Sequence, residues 1–162
     1  MRQCLNLIKQ KGDRIMAKIY KNVLIAMDGS KEARDAFRKT LDFFQNFGNA
    51  KPHLIITHVL DTPHYPSVIS EDAEMMNSLS MEKKESLLSL KKEAQAAGFL
   101  DTETLIRHGS PKELLTNEIP TKVAADLIVV GAIGLGKIEN ALLGSVTEYV
   151  VRESKIDVLV IR

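Results

Sequence analysis

The 162-residue chain has no tryptophan and one cysteine, and aromatic residues make up 5% of it. A lone Cys4 can form neither an internal disulfide nor a thiolate metal cage, and so little cysteine suits a reducing compartment, so a cytoplasmic protein is expected. So few rings provide no stacking platform for single-stranded nucleic acid. Charge of one sign is also missing: 22 Lys and Arg stand against 21 Asp and Glu, a net charge of +1. No broad field draws in nucleic acid or an anionic membrane, and neither is an expected partner; a charged ligand must be held locally. Long apolar runs are absent too, since the stretch Leu127 to Leu135 falls short of a bilayer span and is broken by Gly131 and Gly134. Residues 1–15 carry Arg2, Lys9, Lys11 and Arg14 but no apolar run or small-residue cleavage site of an export signal. Residues 1–18 are therefore read as a flexible extension, with Met16 a candidate second start, ahead of one domain over 19–162.

What is present is aliphatic: 44% of the residues are apolar, so the core is expected from Val, Ile, Leu and Ala. Val23–Met27, Leu54–Leu60 and Leu127–Val130 are short continuous apolar runs, the pattern of strands buried on both faces, and Thr102–Arg107 and Val158–Ile161 read as two more. Between them lie helical stretches. Ser30 is a candidate N-cap for a stripe at Ala33, Ala36, Phe37, Leu41 and Phe44, with Gly48 as its stop. A long helix runs from about Ser70 to Ala97 with Gly98 at its end, after a loop marked by Pro63 and Pro66. Gly109-Ser110-Pro111 opens a third helix that Pro120 should kink or divide, and Ser145 opens a fourth. Alternating strands and helices imply a mainly parallel sheet covered on both faces, with a ligand seated beyond the strand ends where strand order reverses. That places Asp28, Val59 and the residues after Val130 together.

After the fourth strand the chain reads Gly131-Ala132-Ile133-Gly134-Leu135-Gly136, and later Gly144-Ser145-Val146-Thr147-Glu148. Glycines permit positive φ and close backbone approach, so amides of the turn and of the following helix N-terminus can surround an anion. An equal structural reading is a glycine turn followed by a capping box, Ser145-x-x-Glu148, which needs no ligand. The loop is neither a Walker P-loop nor the dinucleotide fingerprint, because no Gly-Lys-Ser/Thr follows and the glycine spacing differs.

Gly131, two residues, Gly134, nine residues and then Gly144-Ser145 resembles the ATP-binding signature of the universal stress protein family. The resemblance extends from about Lys21 to Ile161 and includes Val23–Ser30, Thr57-His58-Val59, Gly109-x-Pro111 and Asp126–Gly131. It implies ATP as ligand, with Mg²⁺ as a candidate companion, and a homodimer through the C-terminal strand. The fold expected is a single doubly wound α/β domain with a five-stranded, mainly parallel sheet in the order 3-2-1-4-5. By the same resemblance Asp28, beside Ala26 and Met27, touches the ribose and adenine side, and the backbone of Val59 reads adenine. Val130 and Gly131 end the strand, while Gly131, Gly134, Gly144 and Ser145 hold phosphates, joined by Val146 and Thr147. Ala132 and Ile133 are apolar where members often carry a polar or basic residue, the best argument for a branch that dimerises without nucleotide. Ile156-Asp157-Val158 lacks the proline that often precedes the last strand.

Other candidates carry less. Asp28 in Asp-Gly-Ser is by itself a common turn former, and its place at a strand end is what favours a ligand. His53, His58, His64 and His108 lack metal-ligand spacing and read as solvated or packed. Met75, Met76, Leu79, Leu87, Leu88 and Leu90 belong to the buried face of the long helix, and Glu82, Lys83, Lys84, Glu85, Lys91, Lys92 and Glu93 read as its solvated face. No serine sits in a Gly-x-Ser-x-Gly elbow, and no carboxylate cluster accompanies the phosphate loop, so catalytic residues are not assigned and any ATP turnover should be slow. An adenylating or ATP-pyrophosphatase-like enzyme is a distant alternative, since its Ser-Gly-Gly-x-Asp-Ser loop is replaced by Asp28-Gly29-Ser30-Lys31.

Overall fold

The computed structural model describes residues 20–46, 51–61, 73–134 and 142–162. The N-terminal extension, Gly48, Pro63, Pro66, the helix start expected at Ser70 and Gly136 lie outside the described residues. Five strands, β1 (Asn22–Met27), β2 (His53–Leu60), β3 (Thr102–His108), β4 (Leu127–Gly131) and β5 (Asp157–Ile161), form one parallel sheet in the order β3-β2-β1-β4-β5. This is the expected order. The central strand β1 pairs Leu24 with Ile55 on one side and with Ile128 on the other.

The continuous apolar runs exist because both faces of the sheet are covered. Along β1, Val23, Ile25 and Met27 face one layer, together with Leu54, Ile56, Leu127 and Val129. Leu24, Ile55, Ile128 and Val130 point to the other. The first layer is closed by α1 (Lys31–Gln45), through Ala33, Phe37, Leu41 and Phe44, and by α2 (Ala73–Ala96), through Leu87, Leu90 and Ala94. Ser30 caps α1 as expected, its hydroxyl oxygen accepting from Ala33 N at 3.0 Å. Gly98, at φ +86°, ends the long helix, and Phe99 N donates back to Ala94 O.

The second layer is α3 and α4 (Ser145–Glu153). We use α3 for three consecutive pieces, Pro111–Glu113, a wide π turn Leu114–Glu118 and Ile119–Lys122. Pro120 divides the helix as expected, by a particular device. A proline has no N–H to give, and the preceding turn opens so that Ile119 N donates five residues back to Leu114 O. At the foot of the sheet the Asp126 carboxylate accepts from Lys21 N and Asn22 N at 2.7 and 3.0 Å, tying the start of β1 to that of β4. With those ends fixed, the carboxyl ends of β1 and β4 emerge side by side at the other end.

Candidate functional site

A cleft of about 620 Å³ opens there, across the ends of β1, β2 and β4. β1 brings Ala26, Met27 and Asp28 to its wall, and β2 brings Thr57, His58 and Val59. β4 brings Val130 and Gly131, with Ile133 and Gly134 in the turn beyond, and α4 brings Gly144, Ser145, Val146 and Thr147. The eleven residues to which the sequence resemblance assigned ligand contacts therefore border one space.

Hydrogen bonds lock the turn after β4 to the start of α4. Gly144 N donates to Ala132 O at 2.7 Å, and the Thr147 hydroxyl donates to Gly131 O at 2.7 Å. Ala132 N is tied to β5 through Ile161 O at 2.8 Å. Thr147 thus spends its proton on holding the turn. The Asp28 carboxylate is placed by Ser30 N, which donates to Oδ1 at 2.8 Å, so the turn that caps α1 also aims Asp28.

Of the two properties for which glycine was noted here, positive φ and close backbone approach, the described residues use the second: positive φ belongs to Gly29, Gly98 and Gly109, and to Ala124. Gly144 has an ordinary extended backbone at φ −73°. What Gly134 provides is closeness: a Cβ there would overlap Asp28 Oδ2. The capping box also fails to form. Gly144, not Ser145, occupies the N-cap, and among the described residues no side chain caps α4 or accepts from the N–H groups of its first turn.

Sequence reasoning passed over His58 and Lys83. His58 is packed, 7% exposed, and burial together with the Lys83 ammonium holds its imidazole below the ordinary pKa; a backbone bond to Met27, Asp28 and Glu82 pull the other way. Lys83 was assigned to the solvated face of α2, but it borders the cleft with its side chain 28% exposed. The signal was in the spacing, since Lys83 falls four residues after Leu79 and four before Leu87, in line with the buried stripe. Among the described residues no group of three or more His, Cys, Asp or Glu could hold a metal ion, and no helix is long and apolar enough to cross a membrane.

A parallel α/β domain whose cleft opens at the switch point between β1 and β4, walled by a glycine turn and an uncapped helix start, belongs to the class that seats ligands beyond strand ends. The chain is a member of the Universal stress protein family, whose family model matches residues 19–162. Universal stress protein SSP1056 of Staphylococcus saprophyticus is 39% identical over 143 residues, covering 88% of this chain and 84% of that protein. Among solved structures, MJ0577 superposes with a TM-score of 0.77 at 32% identity, over 88% of this chain and 96% of that one. A universal stress protein in complex with cAMP superposes with a TM-score of 0.61 at 30% identity, over 89% and 98%.

Proposed function

We propose that the protein binds ATP in this cleft and acts as a cytoplasmic stress-response module whose nucleotide alters shape or partners. The observation that carries the reading is the arrangement around Gly134. The turn after β4 and the first turn of α4, free of any side-chain cap, border the same cleft as the Asp28 carboxylate. Phosphates are held by backbone amides of Gly131, Gly134, Gly144 and Ser145, next to Val146 and Val130, at the positive end of the α4 dipole. Asp28 meets the ribose, and Ala26, Met27 and the Val59 backbone flank adenine. Thr147 acts one step removed, by fixing Gly131 O. Mg²⁺ accompanies the phosphates as a counter-ion without a protein cage. That a family relative is a complex with cAMP supports an adenine nucleotide.

A second reading, a member that works without nucleotide, has one specific observation behind it: Ala132 is buried, 3% exposed, and offers no side chain to a phosphate. Denaturing the purified protein and analysing the supernatant by chromatography and mass separates the two. Near-stoichiometric ATP supports the first reading. Nucleotide-free protein that also fails to take up added Mg·ATP supports the second.

The protein is further proposed to be a homodimer through β5. Both β3 and β5 are sheet edges, but β3 carries Glu103, Arg107 and His108, which guard it against pairing. β5 presents Val158-Leu159-Val160-Ile161, partly exposed and uncharged, which a second copy can cover.

A further inference from the structure

We propose that Lys83 is a ligand-contacting residue of the cleft, the ammonium that makes it prefer nucleotides to nucleosides; this rests on the nucleotide reading above. The position is unusual for a lysine. Leu79, Lys83, Leu87 and Leu90 follow one stripe of α2, whose other members are apolar and turned inward, Leu87 and Leu90 being fully part of the core. A cation on that stripe is brought to the cleft by the packing of the helix itself rather than by a chance rotamer.

Its ammonium stands over the β1 turn, 3.9 Å from where a Cβ on Gly29 would lie, which places the charge beside the residues that carry Asp28. The charge is felt inside, because it is the largest cause after burial that disfavours a positive His58. Among the described residues its ion-pair partner is Glu82 at 3.0 Å, its chain neighbour and 68% exposed, a weak competitor for the ammonium. The cleft is also lined by Asp28, Asp61 and His58. Among the described residues lining the cleft, Lys83 carries the one side-chain cation that stays charged at neutral pH. Ligand phosphates are then met from two sides, by the amides around Gly134 and Ser145 and by a point charge from α2.

The test compares ATP and adenosine by titration calorimetry on the wild-type chain, Lys83→Gln and Lys83→Arg. Loss of a charge-assisted contact at a partly exposed site should weaken ATP about tenfold in Lys83→Gln and leave adenosine unchanged, with Lys83→Arg restoring most of the loss. Proton NMR of His58 supplies an independent readout, and its imidazole should titrate at higher pH in Lys83→Gln once the neighbouring charge is gone. Equal ATP affinity in wild type and Lys83→Gln, or an equal loss for ATP and adenosine, overturns the assignment while leaving the nucleotide reading intact. A wild-type protein that binds neither ligand overturns the nucleotide reading and this assignment with it.

Discussion

At His58, burial and the Lys83 ammonium both oppose a positive imidazole, so the folded state releases a proton that the unfolded chain keeps. Because the folded pKa lies below 6.5, the unfolded chain binds more protons in the window beneath that value, and stability falls as pH drops through it. Above pH 6.5 both states are neutral and the penalty vanishes. Thermal unfolding at pH 7.5 and 5.5 should show a smaller acid-induced drop in Tm for His58→Gln than for wild type; equal drops would assign the acid sensitivity elsewhere. Gly134 is the other residue whose identity decides something locally. In Gly134→Val the new Cβ displaces Asp28 Oδ2 and crowds the phosphate approach, so ATP binding should be lost by calorimetry while the far-ultraviolet circular dichroism stays at the wild-type value.

At the scale of elements, two helices point their N-termini at the cleft region and are finished differently. α1 is closed by its own serine, whereas α4 begins after a glycine with no side-chain cap. Ser30→Ala should therefore cost about 1 kcal/mol in urea unfolding. Ser145→Ala should change stability by less than about 0.5 kcal/mol, since Gly144 and not Ser145 holds the N-cap position. A large loss from Ser145→Ala would mean that it, and not Gly144, closes the helix. The distinction matters for function, because an element whose terminal amides are already satisfied has little to offer an anion.

For the whole molecule, the exposed edge of β5 is the feature that a single domain leaves unfinished. Ile161 turns its carbonyl toward Ala132 N, so the backbone groups of Val160, alternating along the strand, face the open edge. Sedimentation should show a dimer for the wild type. Val160→Pro removes an outward N–H without touching the bond from Ala132 to Ile161, and should give a folded monomer. A wild-type monomer at micromolar concentration, or a Val160→Pro dimer, would exclude pairing through this edge.

Periodicity and order along the chain were enough for the strands, the helices, the parallel sheet and the stripe Ala33 to Phe44, because burial on two faces imposes its pattern on neighbouring residues. That strand ends and the glycine turn border one cleft was also legible, from the order of the elements. Tertiary structure alone decided what each does: that Gly134 is small because Asp28 stands against it, that Thr147 holds the turn, that Gly144 and not Ser145 caps α4, and that Lys83 turns inward. Those are contacts between residues distant in sequence, and they depend on how helices are set on the sheet, which no local spacing records. Lys83 makes the difference plain, since its place on the stripe was written in the chain but its neighbours, Gly29 and His58, were brought to it only by folding.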